Sequence, residues 1–219
     1  MSEGLVIDKI EFGINNKLIF MFSKNSVLEK YYIYPSKIYF LDNNQNIDYL
    51  NIVRYDIQKK SKRLNFEILS DFSDLKKDLE RLIIGAIFCD FLKNSLLEGS
   101  ITNIKYEEIL YFFYYLSQEE NLKSNNLISC LIIFIYYLLS NSGSFDSNQM
   151  KNKKEELKLL TTISVKPEEM LKFISKLNKM ESNKLNNILF FLINSFKFVY
   201  HRKNIKSVEF IKYLDKKDL

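Results

Sequence analysis

Tryptophan is absent from the 219-residue chain, and histidine occurs once, cysteine and proline twice each, and glycine five times. Each scarcity removes a class of chemistry. Cys89 and Cys130 lie far apart in apolar stretches of helical pattern, so they read as packed thiols in a reducing compartment, not as a disulfide. No Cys and His pairs stand at the short spacing that a four-ligand zinc site needs, and no metal or other cofactor is expected. The single histidine, His201, has no acid-plus-nucleophile pattern around it and reads as an exposed side chain at a helix end. Long hydrophobic runs are missing too. The longest, Leu127 to Leu139, is interrupted by Ser129. It falls short of the roughly 20 residues a membrane span requires and reads as a buried core helix. The N-terminus carries Glu3 and Asp8 and shows no basic leader followed by an apolar stretch, so no signal peptide and a cytoplasmic location are expected.

Aromatic residues are plentiful, with 18 Phe and 14 Tyr, and the hydrophobic fraction of 47% suits one large or two small globular domains. Heavy use of Lys, Asn and Ile matches a coding bias toward A and T, which replaces Arg by Lys and Ala or Val by Ile. Charge is uneven along the chain. Residues 1–75 carry ten cationic and ten acidic side chains, residues 76–150 six against nine, and residues 151–219 sixteen against eight. A basic C-terminal third suits a polyanionic partner, although Lys-rich helices are also ordinary solvated faces.

The first seventy residues have the period of strands. Leu5 to Phe12, Lys17 to Phe22, Glu29 to Tyr34, Lys37 to Leu41, Tyr49 to Ile57 and Arg63 to Leu69 are rich in Tyr, Phe, Ile and Val. In the last of these Leu64, Phe66 and Ile68 alternate with Arg63, Asn65 and Glu67. After Ser73-Asp74 the period becomes helical. One helix is expected from Leu75 to Leu97, with Gly99 near its end, and others near Lys105–Ser117 and Ser124–Ser140. Asn141–Lys154 is polar and reads as a loop. Pro167-Glu168-Glu169 opens a helix running to about Met180. Another covers Lys184 to Tyr200, and a short one begins near Ser207. Segregated strands and helices mean an α+β chain: a small five-stranded barrel over residues 1–72, then an all-α domain over residues 73–219.

Two basic clusters stand out. Lys59, Lys60, Lys62 and Arg63 fall in the hairpin joining the last two strands, where four cations in five residues match several phosphates; a solvated turn with Lys blunting a sheet edge is the plainer reading. Arg202, Lys203 and Lys206 follow a helix C-terminus, where the helix dipole alone favours cations. Lys151, Lys153 and Lys154 read as solvated loop residues. Tyr31, Tyr32, Tyr34 and Tyr39 could stack bases, although alternating aromatics more often pack a core. The run Tyr111 to Tyr115 covers too much of a helix circumference for one face and implies a helix packed on several sides or one that meets a partner.

The order of a small barrel and a helical domain in a chain of this size resembles the RecO family of DNA-repair mediators. Met21-Phe22-Ser23-Lys24-Asn25 is similar to the family's Phe-Thr segment closing the second strand. Arg63 to Ser70 resembles its last barrel strand, and Leu75 to Leu97 the apolar helix that follows. Tyr200 to Phe210 resembles the closing pattern, with Ile205-Lys206-Ser207 standing for Leu-Lys-Ser. The likeness runs over nearly the whole chain through short motifs whose order carries the weight. It implies an oligonucleotide-binding type of barrel (an OB fold) and a protein without catalytic groups. Such a protein binds single- and double-stranded DNA, anneals strands, and acts with RecR, RecA and single-strand DNA-binding protein at gaps, hence at the nucleoid. The site residues it implies are Lys59, Lys60, Lys62, Arg63, Arg202, Lys203 and Lys206, together with Lys37. The chain departs from the pattern in three places. Tyr34-Pro35-Ser36-Lys37 replaces a Gly-rich basic loop, residues 142–148 lack the four-cysteine zinc module of many members, and Leu127 to Leu131 replaces an Arg-rich entry used for the single-strand-binding-protein tail. The rival expectation is a helical adaptor whose basic C-terminal third meets another protein or an anionic surface. An enzyme would need clustered carboxylates or a pocketed nucleophile, and the acids are scattered.

Overall fold

A computed structural model of the chain describes residues 1–13, 16–33, 47–58, 63–118, 124–143, 167–201 and 205–213, with only the backbone described for some residues at element ends. The fold is α+β: five antiparallel strands precede the helices. β1 (Ser2–Phe12), β2 (Asn16–Ser23), β3 (Leu28–Ile33), β4 (Ile52–Gln58) and β5 (Arg63–Ser70) form one sheet in the order β3-β2-β1-β4-β5. β1 is central because it serves two neighbours with different stretches: Gly4 to Phe12 pair with β2, and Ser2 to Leu5 with β4. Pairing of β3 with β5, which would close the sheet into a barrel, is not among the described strand pairs. The expected strand Lys37 to Leu41 lies outside the described residues.

Register changes along β1. Val6 faces Met21 and Asp8 faces Phe20, so Ile7 is an extra residue, a β-bulge that bends the strand. One side of the sheet carries a core of Val6, Ile19, Met21, Ile33, Ile47, Val53 and Tyr55, with Tyr31, Phe66 and Ile68 packed against it. Phe66 and Ile68 thus take the side that the alternation in β5 predicts. β4 starts at Ile52 instead of Tyr49 because Asp48 to Asn51 make a turn, in which the Asn51 N–H donates to the Asp48 carbonyl at 3.2 Å. Leu50 there is fully buried at a φ of +65°, a backbone region that a bulky residue occupies only when its surroundings hold it.

The chain divides into two compact units, Met1–Ser73 with Leu96–Glu107, and Asp74–Ser95 with Glu108–Leu219. Leu96–Glu107 is a segment that the sequence boundary at residue 72 leaves with the helices. Backbone bonds tie it to the strands: the Gly99 N–H donates to Leu28 O at 3.0 Å and the Thr102 N–H to Ser26 O at 3.1 Å. The Tyr106 ring lies 6.1 Å from that of Phe22, and its hydroxyl donates to Glu3 at 3.3 Å. Gly99 has a φ of +71°, which only glycine adopts without strain. This turns the chain onto the strands.

The single helix expected from Leu75 to Leu97 is two: α1 (Ser73–Lys77) and α2 (Leu79–Ser95). Asp78 makes the break, its carboxylate accepting the Arg81 N–H at 3.0 Å as an N-cap does. Leu79, four residues after the buried Leu75 and so at helical spacing from it, is 72% exposed because the helix restarts there. α3 (Tyr106–Gln118) and α4 (Ser124–Ser140) follow, then α5 (Pro167–Leu177), α6 (Ser182–Val199) and a 3-10 helix over Lys206–Tyr213. α5 ends before Met180, which lies in a turn closed by its own N–H on Leu177 O at 2.9 Å.

α4 is the axis of the helical unit. Every residue from Leu127 to Leu139 is buried, and α2, α5 and α6 pack against it. That accounts for an apolar run too short for a membrane; among the described residues no helix is long and apolar enough to cross one. Phe88 stacks on Phe134 at 4.0 Å and meets Phe112 and Phe113 edge-on. In the run Tyr111 to Tyr115, Phe112 and Phe113 are buried and Tyr114 is exposed; with Tyr106, Ile109 and Leu116 the two Phe form one buried stripe, so α3 packs through one side and not the several expected. Cys89 and Cys130 are both buried and free.

Candidate nucleic-acid interface

The β4–β5 hairpin positions the sharpest basic cluster of the sequence. Register along the hairpin ends at Gln58 opposite Arg63, so Lys59, Lys60 and Lys62 belong to the connection between paired strands. These three residues lie outside the described ones, as do Lys37, Arg202 and Lys203. Arg63 opens β5 by its backbone pairing. Lys206 begins the closing 3-10 helix with its side chain exposed. Of the tyrosines considered for base stacking, Tyr31 packs with the core, 5.6 Å from Tyr55, while Tyr32 is 60% exposed and edge-on to Phe12 at 6.4 Å. Tyr34 and Tyr39 lie outside the described residues.

Most described cations of the strand unit already face an acid. Lys9 bonds Asp48 at 2.8 Å and Glu11 at 3.2 Å, Lys17 reaches Glu11 at 3.9 Å, and Arg54 bonds Glu67 at 3.0 Å. Lys30 pairs with Glu98 and lies over the Phe20 ring at 5.5 Å. The Asp48 bond holds the Lys9 ammonium above its ordinary range, against the opposing effect of burial. Lys24 has no acidic partner among the described residues. It lines a polar recess of about 230 Å³ with Met1, Ser2, Glu3, Asn25 and Arg54. Two cations there suit an anion such as a phosphate, while Glu3 weakens the field.

At one end of the core-facing side, the Glu29 carboxylate accepts two phenols. Tyr31 donates to Oε2, and Tyr55 donates to the same oxygen at 2.7 Å. Burial first, and then this hydrogen bond, pushes both hydroxyls well above the usual tyrosine range. The arrangement ties β3 to β4, with both phenols protonated as donors to one carboxylate oxygen.

His201 sits exposed at a φ of +52° just beyond α6, where the left-handed turn ends the helix. Burial raises the Cys130 thiol far above its ordinary range and denies it thiolate character. Among the described residues no three His, Cys, Asp or Glu side chains come together as a metal site.

The closing segment is anchored by an acid. The Ser207 N–H donates to Asp90 Oδ2 of α2 at 3.0 Å, and the 3-10 helix packs on α2. The Ile205-Lys206-Ser207 segment picked out in the sequence therefore has a structural role: Ile205 and Ser207 are buried and Lys206 faces out. On α6, Leu185, Ile188, Leu189, Leu192, Ile193 and Phe196 form the buried stripe. Phe190 and Phe198 do not join it, being 70% and 81% exposed. No protein-family model and no curated protein matches the chain.

Proposed function

We propose that the protein is a non-catalytic DNA-repair and recombination mediator of the RecO type. It binds single- and double-stranded DNA, anneals strands, and works with RecR, RecA and single-strand DNA-binding protein at gaps in the nucleoid. The observation that carries this reading is the strand order β3-β2-β1-β4-β5 with a basic β4–β5 hairpin. In this order the two outer strands are those that would meet on closing a five-stranded barrel of the oligonucleotide-binding kind, in which the β1–β2 and β4–β5 loops hold the strand. Lys59, Lys60, Lys62 and Arg63 stand at the second of these loops, and Lys24 and Arg54 add an anion-sized recess on the same unit. The helical unit supplies the excess positive charge of residues 151–219. Phosphate neutralisation together with aromatic stacking requires no general base, nucleophile or metal.

The test is a salt titration of oligonucleotide binding with the full chain. Single-stranded DNA should bind at low salt and weaken steeply as salt rises. Replacing Lys59, Lys60, Lys62 and Arg63 together by Ala should flatten the log–log slope by up to about 3, since each lost contact removes roughly 0.7 for a single strand. Absence of binding to either single- or double-stranded DNA at low salt would overturn the assignment and favour the adaptor.

A further inference from the structure

The outward face of α6 is unusual for a helix that packs so well on its other side. Asn183, Asn187, Phe190, Asn194 and Phe198 are all exposed, and at 100° per residue they fall within one arc of about 80°. Lys197, half-buried, lies about 20° beyond one edge of that arc, beside Phe190. Two large aromatic rings left in water lose the gain of burial, roughly 1.5–3 kcal/mol each, that the neighbouring Phe196 collects. From Ser182 to Val208 the sequence holds Lys184, Lys197, Arg202, Lys203 and Lys206 and no acid at all. Of the two lysines on the helix, Lys184 pairs with Glu181 at 3.3 Å, and Lys197 has no acidic partner among the described residues. The face therefore combines separated aromatic rings, neutral amides and uncompensated positive charge.

We propose that this face of α6 is a stacking platform for single-stranded nucleic acid, with bases on Phe190 and Phe198 and the phosphate chain drawn by Lys197. It rests on the nucleic-acid reading above and names a second contact region for it. Three features favour this occupant. The rings stand eight residues apart, about 12 Å along the helix axis. That is several times the 3.4 Å step of stacked bases, so each ring takes a base of an extended strand rather than a neighbour in a duplex. Asn187 and Asn194 separate and flank the rings, and amide side chains both donate and accept, as base edges require. A protein partner would instead want a contiguous apolar centre that excludes water, and the amides break that continuity. Charge points the same way, because an acid-free cationic segment complements a polyanion.

Stacking and phosphate contact differ in salt dependence, which gives the test. Anisotropy of a labelled oligothymidine with the full chain should show Phe190→Ala with Phe198→Ala binding tenfold or more weakly at every salt concentration, with the slope unchanged. Phe190→Tyr with Phe198→Tyr should restore binding. Lys197→Ala should flatten the slope by about 0.7. Both Phe variants should keep the wild-type melting curve, since the rings are exposed. If the double Ala variant binds as tightly as wild type while the β4–β5 loop variant is impaired, this inference falls and the nucleic-acid reading stands. If the wild-type chain binds no oligonucleotide, both fall. Loss of self-association in the double Ala variant, with oligonucleotide affinity intact, would mark the face as a protein contact and overturn the proposal.

Discussion

The strand unit and the helical unit bury their cores by different means. Around the strand core, polar groups finish the job: Glu29 holds Tyr31 and Tyr55, and Lys9 is held by Asp48 and Glu11. The helical unit relies on hydrocarbon and aromatic contact. Its axis, α4, is buried from Leu127 to Leu139, and the Ser129 hydroxyl inside it has no hydrogen-bond partner among the described residues. A strand alternates its side chains between two sides, so a small sheet always brings polar positions to the margin of its core. A helix can be surrounded. The lesson concerns charge: most described cations of the strand unit pair with acids distant in sequence or across the sheet, whereas in the helical unit Lys77 and Lys184 pair with acids just three residues away.

The contrast breaks most severely at Phe88. Phe88→Ala removes a ring stacked on Phe134 and edge-on to two others, and should cost about 3–5 kcal/mol, measured by denaturant unfolding followed by far-ultraviolet circular dichroism. A cost below about 1 kcal/mol would mean that the aromatic cluster is not the centre of that unit. Next is Glu29→Ala, which leaves two phenols without their acceptor and should cost about 1–3 kcal/mol. Its effect belongs to the strand unit, so hydrogen exchange should rise in β3 and β4 and stay unchanged in α4.

The smallest effect is a pH dependence. Tyr31 and Tyr55 have folded values raised above the unfolded tyrosine value of about 10. The folded state therefore keeps protons that the unfolded chain gives up, so their stabilising contribution is full below about pH 10 and declines as pH climbs beyond it. Stability measured from pH 9 to pH 11 should fall, and fall less steeply in Tyr55→Phe. In the helical unit Tyr200, pushed up to about 12 by burial, donates to Leu138 O at 2.9 Å and contributes in the same direction.

Much of the fold was legible because the period of hydrophobic residues changes from two to helical near residue 73. Alternation in Arg63–Ser70 correctly placed Phe66 and Ile68, and Pro167 and Ser124 marked true helix starts. Local chemistry that competes with the pattern was not legible. Asp78 interrupts a run whose apolar spacing continues through it, and Ile7 slips into β1 without changing its composition. The site was readable only in part. A hairpin was correctly expected around the basic loop, since Gln58 pairs with Arg63, but most of its cations lie outside the described residues. Phe190 and Phe198 escaped notice because Phe is apolar, and apolar residues in a helix are counted toward its core unless something reveals which way they point.

The return of Leu96–Glu107 to the strands has a practical consequence for dissecting the molecule. A fragment cut after residue 73 would keep all five strands yet strip away the backbone partners of Ser26 and Leu28 and the ring beside Phe22. The strand unit, unlike the sheet within it, is thus encoded in two stretches: α1 and α2 are spliced between its two pieces, and whoever wishes to study the unit alone must bridge that insertion rather than end before it.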